Sequence, residues 1–126
     1  MESIRPFVAV VDDEESVRCA LVRLLRASGL ESEGFVSGET FLSSLEGRRP
    51  DCVILDLQMA GMGGRDVQRQ LNRLQTPLPV IIITAHDEPT VREQCLADGA
   101  AAYLRKPLRA DVLIGSIKAA IRKAAA

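Results

Sequence analysis

The chain has 126 residues, the usual size of one folded domain, and we expect a single domain over residues 1–126. Hydrophobic residues make up 47% and charged residues 26% of the chain, which excludes an intrinsically disordered protein. The net charge is −1, so no overall positive field would attract nucleic acid or an anionic membrane.

The first half of the chain alternates two strand patterns with two helix patterns. Residues 7–11 form a continuous apolar run, which predicts a strand buried on both faces. Apolar side chains then recur at helical spacing between residues 16 and 29, which predicts a helix. A short strand is expected over residues 32–36, and a second helix between residues 37 and 47.

The middle of the chain repeats this order. Residues 52–55 form another buried-strand run, which ends on Asp56. The helix predicted after it has Val67, Leu71 and Leu74 on its buried face.

The last third contains two more strand and helix pairs. A strand is predicted over residues 80–83, with Thr84 as its terminal polar residue. A helix from Pro89 to residue 98 follows, because proline suits the first turn of a helix. A fifth strand over residues 101–104 precedes a final helix that runs to the C-terminus.

Strands that alternate with helices through short connections predict an α/β fold, with a parallel sheet covered by helices on both faces. In such sheets the ligand crevice lies beyond the carboxyl ends of the strands. The polar residues expected at those ends are Asp12, Asp13, Asp56, Thr84 and Lys106.

This set of side chains predicts a phosphoryl site. Three carboxylates in one crevice repel one another unless a cation lies among them. Magnesium prefers oxygen ligands and commonly binds one or two carboxylates together with a substrate phosphate. Lys106 would add a positive charge and Thr84 a hydroxyl donor. Each residue alone has an ordinary role, such as a helix cap or a strand former, so the prediction depends on their joint placement.

The chain resembles the receiver domains of two-component response regulators, in particular the Fix-type transcriptional regulators. The resemblance covers nearly the whole chain and rests on motifs at residues 10–14, 53–57, 83–85, 98–100 and 103–107. It implies a flavodoxin-like (βα)5 fold with strand order 2-1-3-4-5. It also implies phosphorylation by a sensor histidine kinase or a phosphotransfer protein. A cytoplasmic location is expected separately, because the apolar runs are too short to span a bilayer and the N-terminus lacks a signal segment.

The resemblance also implies a role for each site residue. Asp56 would accept the phosphoryl group and bind Mg²⁺ together with Asp13, while Asp12 would act largely through a bound water. The backbone carbonyl of Gln58 would supply another metal ligand. Thr84 and Lys106 would contact phosphoryl oxygens. The protein would catalyse only its own phosphorylation and dephosphorylation.

A switch is expected at the end of the sheet. When Thr84 moves toward the phosphoryl group, Tyr103 should move from an exposed to a buried position and change the surface of the fourth helix, fifth strand and fifth helix. That surface has charges of both signs, as a two-fold contact requires, and they belong to Arg92, Glu93, Arg105, Asp111 and Lys118. We therefore expect a phosphorylation-dependent homodimer or partner contact there.

Two features near the site are specific to this chain. The family usually has proline four residues after the acceptor, whereas this chain has Ala60, followed by glycines at 61, 63 and 64. We expect a more mobile loop with weaker magnesium binding or slower phosphorylation. We also predict a cis Lys106–Pro107 bond, which would aim the Lys106 ammonium into the crevice.

Other polar residues are assigned to structure. His86 has no second histidine or cysteine near it in the sequence and is not expected to bind metal. Cys19, Cys52 and Cys95 are predicted to be small buried hydrophobic residues. No apolar run is long enough to span a bilayer.

Two other functions share part of this sequence pattern. A magnesium-dependent phosphohydrolase of the haloacid dehalogenase type also uses an aspartyl nucleophile, but residues 56–58 lack its second aspartate and there is no room for a cap domain. A nucleic-acid binder is suggested only by six basic residues against one Asp from Arg105 onward. A solvated helix face explains those charges, and we expect no direct binding of nucleic acid by this domain.

Overall fold

A computed structural model describes residues 5–74 and 77–125, which form five strands and five helices in alternation. The strands are β1 (Phe7–Val11), β2 (Glu31–Phe35), β3 (Cys52–Asp56), β4 (Val80–Thr84) and β5 (Ala102–Arg105). The helices are α1 (Glu15–Ala27), α2 (Gly38–Ser44), α3 (Gly64–Asn72), α4 (Pro89–Ala97) and α5 (Ala110–Ala125). The strands are parallel in the order β2-β1-β3-β4-β5, which confirms the expected fold.

The three central strands are buried along their whole length because helices cover both faces of the sheet. Alternate residues of each strand enter different cores. One core includes Val10, Ile54 and Ile83 and packs against α1 and α5. The other includes Val11 and Leu55 and packs against α2, α3 and α4. This double burial explains why the strands read as unbroken apolar runs.

Several boundaries differ from the sequence-based predictions. The predicted strands at 32–36 and 101–104 are each displaced by one residue, and Val36 lies outside β2 with 52% of its surface exposed. The last helix is described as far as Ala125, and residue 126 lies outside the described residues. Among the described helices, none is long and apolar enough to cross a membrane.

Leu74 was wrongly predicted to lie on the buried face of α3. The helix ends at Asn72, and Leu74 is 38% exposed. The helix also buries Gln68, a polar residue that is almost fully inaccessible to solvent. The Gln68 amide nitrogen forms a hydrogen bond outside its own helix, which offsets the free-energy cost of burying a polar group.

The prediction for the cysteines was right for two of the three. Cys52 and Cys95 are buried, and burial raises the pKa of the Cys52 thiol to about 12 and also raises that of Cys95. Cys19 is exposed on the outer face of α1, so its prediction was wrong. The helical pattern of α1 places Leu21 and Leu25 toward the sheet and leaves Cys19 on the solvent side.

Polar side chains of α3 hold the C-terminal end of α4. The Gln68 amide nitrogen donates to the Cys95 carbonyl at 2.9 Å, and the Asn72 amide nitrogen donates to the Asp98 carbonyl at 2.9 Å. Arg65 forms an ion pair with the Asp98 carboxylate at 2.8 Å. These contacts satisfy carbonyls that a helix end leaves without partners inside the helix.

Gly64 allows the start of α3 to lie directly against the end of β3. A Cβ atom at this position would lie 2.5 Å from the Asp56 carbonyl oxygen and 2.8 Å from the Leu57 Cα. The neighbouring atoms belong to backbone and cannot rotate away. A hydrogen bond from the Gly64 N–H to the Leu57 carbonyl, at 3.1 Å, stabilises this close approach.

We expect Gly64→Ala to lower the free energy of unfolding by about 1–3 kcal/mol, because the added methyl group overlaps backbone atoms. Urea denaturation measures this change. Gly115→Ala is the matched control, since Gly115 lies in α5 and an added Cβ would meet no atom within 4 Å apart from the local backbone of its own helix. That variant should be more stable than the wild type by about 0.5–1 kcal/mol. Equal stability of the two variants would contradict the assignment.

Candidate functional site

The parallel register brings the polar strand ends to one edge of the sheet. Asp56 and Thr84 are the last residues of β3 and β4, which are neighbouring strands. Asp12 and Lys106 come directly after β1 and β5. Asp12 and Thr84 are fully buried and Asp56 is 4% exposed, so the floor of the crevice has little contact with water.

The three aspartates expected to bind metal lie together. One carboxylate oxygen from each of Asp12, Asp13 and Asp56 lies within 4.8 Å of the others, and Asp13 is the exposed member of the group. The donor set consists of oxygen atoms alone. It fits Mg²⁺, which prefers carboxylates and water to nitrogen or sulfur ligands.

Lys106 places one positive charge between two buried carboxylates. Its ammonium group is 3.1 Å from Asp12 Oδ2 and 3.6 Å from Asp56 Oδ1. Burial lowers the pKa of Lys106, but the hydrogen bond to Asp12 and the charge of Asp56 more than offset this, and the net pKa is above its ordinary value. The Lys106–Pro107 peptide bond is cis.

Asp56 is a strongly perturbed carboxyl group. Burial raises its pKa from 3.8 to about 6, and the negative charge of Asp12 adds to the effect. The charge of Lys106 and the hydrogen bond from the Gln58 N–H to Asp56 Oδ1, at 3.4 Å, act in the opposite direction without cancelling it. The ionised form of Asp56 therefore lacks full compensation, and a bound cation would supply it.

Arg18, which sequence reasoning missed, holds the backbone at Asp12. A guanidinium nitrogen of Arg18 donates to the Asp12 carbonyl at 2.9 Å. To reach it, the side chain of Arg18 crosses β2 at Gly34, where an added Cβ would lie 2.8 Å from the Arg18 Cγ. A glycine inside a strand indicates that another group approaches closely, so Gly34 could have signalled the approach but not which side chain makes it.

The loop after β3 is joined to the loop after β1. The Ala60 backbone N–H donates to Asp13 Oδ2 at 3.0 Å. Gly61 has a φ of +73°, a conformation that residues with a side chain rarely adopt. Gln58 is exposed, and its backbone N–H is the donor to Asp56.

Thr84 and His86 form a tight local turn at the end of β4. The Thr84 hydroxyl donates to the His86 carbonyl and accepts from the His86 N–H, both at 3.0 Å. The His86 side chain is exposed, and His86 does not belong to the group of aspartates described above.

Tyr103 is not in the exposed position from which the switch was expected to start. It is 7% exposed and packs in the core under α4, because alternation along β5 directs it to that face of the sheet. Burial raises the pKa of its hydroxyl, which lies near the Glu88 backbone without a hydrogen bond of good geometry. The Arg92 guanidinium carbon lies 5.9 Å from the centre of its ring.

Comparison with known proteins gives consistent matches. A family model described as the response regulator receiver domain matches residues 8–118. The response regulator protein TodT of Pseudomonas putida is 37% identical over 117 residues, which are 93% of this chain and 52% of TodT. The chain thus spans about half the length of this curated relative.

Solved structures agree with this match. A response regulator receiver protein from Burkholderia phymatum is 49% identical, with a TM-score of 0.83 over 94% of this chain and 96% of that chain. The crystal structure of FixJ-N is 31% identical, with a TM-score of 0.86 over 97% of this chain and 96% of that chain.

The perturbed Asp56 predicts a pH dependence of stability in the metal-free protein. The pKa of Asp56 is about 6 in the folded protein and 3.8 ordinarily, so protonation of Asp56 stabilises the folded state. This stabilisation is fully present below about pH 4 and is lost as the pH rises through 6. Asp56→Asn should therefore exceed the wild type in unfolding free energy by about 1–3 kcal/mol at pH 8, and by much less at pH 4.

Urea denaturation in a chelator measures this difference at both pH values. Asp111→Asn is the control for removal of a carboxylate, since the Asp111 side chain is 69% exposed and lies away from the crevice in α5. If Asp56→Asn raised the free energy of unfolding equally at pH 4 and pH 8, the raised pKa of Asp56 would not be the cause of the difference.

Proposed function

The chain belongs to the response regulator receiver domain family, and from this premise we propose that Asp56 is its phosphoryl acceptor, with Mg²⁺ bound beside it. One observation supports the proposal above the others. The Asp56 carboxylate lies at the floor of a crevice with two further carboxylates within 4.8 Å and the Lys106 ammonium at 3.6 Å. A nucleophile, a metal site and a fixed positive charge are thus within reach of one phosphoryl group.

The reaction is a transfer between two side chains. An Asp56 oxygen attacks the phosphorus of a phosphohistidine, the P–N bond breaks, and the imidazole leaves with the electron pair while an acyl phosphate forms. When bound, Mg²⁺ neutralises charge on the phosphoryl oxygens. Asp13 and Asp56 would bind the ion directly, Asp12 largely through a water, and Gln58 through its backbone carbonyl.

Lys106 and Thr84 act on the oxygens of the transferred group. Lys106 is held at the site by Asp12, so its ammonium needs only a small movement to contact a phosphoryl oxygen. The Thr84 hydroxyl must exchange its bond to the His86 carbonyl for one to the phosphoryl group. The same groups assist hydrolysis by water, so the protein acts as a catalyst only on itself.

Membership of the receiver family does not favour the phosphohydrolase considered from the sequence. The donor is a sensor kinase or a phosphotransfer protein, and a cytoplasmic location is part of the same proposal. The output is assigned to the surface of α4, β5 and α5. All five charged residues expected there are exposed: Arg92, Glu93, Arg105, Asp111 and Lys118.

The acceptor is tested with a small phosphodonor such as acetyl phosphate in the presence of Mg²⁺. Wild type should be modified at a single carboxylate, and Asp56→Asn should show no modification because an amide is a poor nucleophile. Intact-protein mass spectrometry gives the readout. Asp111→Asn serves as the matched control and should be modified like the wild type. Full modification of Asp56→Asn would refute the assignment.

The output surface is tested by sedimentation with and without beryllofluoride, a mimic of the phosphoryl group. Wild type should shift to a dimer on addition of the mimic, whereas Thr84→Ala should remain a monomer because it lacks the hydroxyl that couples the site to this surface. The fluorescence of Tyr103, the only tyrosine in the chain, reports a local change at the same time. An unchanged mass and fluorescence in wild type would oppose the proposed switch.

A further inference from the structure

We propose that the backbone amide of Ala60 is a positioning group for the magnesium ligand Asp13. The inference rests on the proposed function, because it assigns a role within the same metal site. It starts from the hydrogen bond between the Ala60 N–H and Asp13 Oδ2, at 3.0 Å, which joins residues that are 47 positions apart.

The three carboxylates differ in how they are held. Asp12 accepts from Lys106 and from the Glu14 N–H, and Asp56 lies next to Lys106 and the Gln58 N–H. Over residues 5–74 and 77–125, the only hydrogen bond or ion pair of the Asp13 carboxylate is the one to Ala60. Asp13 is also the exposed member of the group, so its side chain is the least confined by packing.

The amide can act as a positioning group because its own loop is held at the far end. The Gly64 N–H donates to the Leu57 carbonyl at 3.1 Å, and the Gly63 N–H donates to Asp66 Oδ2 at 3.2 Å. Both contacts tie the end of the loop to the start of α3. The Ala60 N–H is therefore presented to Asp13 by a closed backbone segment.

The residue type at position 60 decides whether this contact exists. Proline, which the receiver family usually has here, carries no N–H and cannot donate. Every other residue type can donate, and the Ala60 side chain is exposed, so the effect arises from the backbone. The bond occupies one oxygen of Asp13 and leaves the other for the metal. A ligand held in this way loses less freedom when the ion binds.

The bond is a charge-assisted one at an exposed site, so its removal should weaken Mg²⁺ binding by about three- to tenfold. The test compares the Mg²⁺ dissociation constants of four proteins by titration calorimetry. They are the wild type, Ala60→Pro, Ala60→Gly and Ala60→Ser. The proline variant lacks the N–H, whereas glycine and serine retain it.

The expected order separates this proposal from the simpler idea that loop rigidity controls affinity. If the amide positions Asp13, Ala60→Pro binds Mg²⁺ more weakly, and the glycine and serine variants bind like the wild type. If rigidity decides, Ala60→Pro binds more tightly and Ala60→Gly more weakly, which would overturn the proposal.

A second measurement needs no proline variant and no metal. In metal-free wild type, the Ala60 amide should exchange with solvent about three- to tenfold more slowly than in Asp13→Ala, because the carboxylate is its acceptor. Equal exchange in the two proteins would overturn the positioning role even if Ala60→Pro failed to fold. A wild-type protein that binds no Mg²⁺ would instead refute the proposed function. The exchange measurement is made without metal and therefore tests the positioning role alone.

Discussion

The mutual repulsion of three aspartates at one edge of the sheet is the constraint on which this structure depends. Two of them are buried, and Lys106 supplies one positive charge between them. Burial raises the pKa of Asp56, the charge of Asp12 raises it further, and the charge of Lys106 offsets only part of this. Such a site stays folded because β1, β3 and β4 bury continuous apolar surface behind it. The sheet stabilises an arrangement of charges that a water-exposed loop could not confine.

Two groups that hold these aspartates come from outside the strands, one from α1 and one from the loop after β3. Arg18 holds the backbone of Asp12, and the Ala60 amide holds the side chain of Asp13. The sheet therefore fixes where the site lies, whereas α1 and the loop after β3 hold Asp12 and Asp13 in place. Sequence changes at these two positions can therefore alter the arrangement of the aspartates without changing the core of the sheet.

The strand ends were predictable because an apolar run that stops at a polar residue marks the carboxyl end of a buried strand directly. The order of the strands came from the family resemblance, since periodicity says nothing about which strands are neighbours. Contacts such as Arg18 to Asp12 depend on the path of a side chain across another strand, which no residue spacing encodes. Leu74 shows the same limit, because a helical pattern identifies a face of the helix but not the residue where the helix stops.

The asymmetric attachment of α4 has a mechanical consequence. Its C-terminal end is anchored to α3 through Gln68 and Asn72, whereas its first turn has no side-chain cap and follows the loop that contains His86. The two ends of α4 therefore differ in how firmly side-chain hydrogen bonds hold them. A shift at Thr84 would reach α4 at its N-terminal end, where Val91 packs in the same core as Tyr103, while the hydrogen bond from Gln68 to the Cys95 carbonyl holds the C-terminal end.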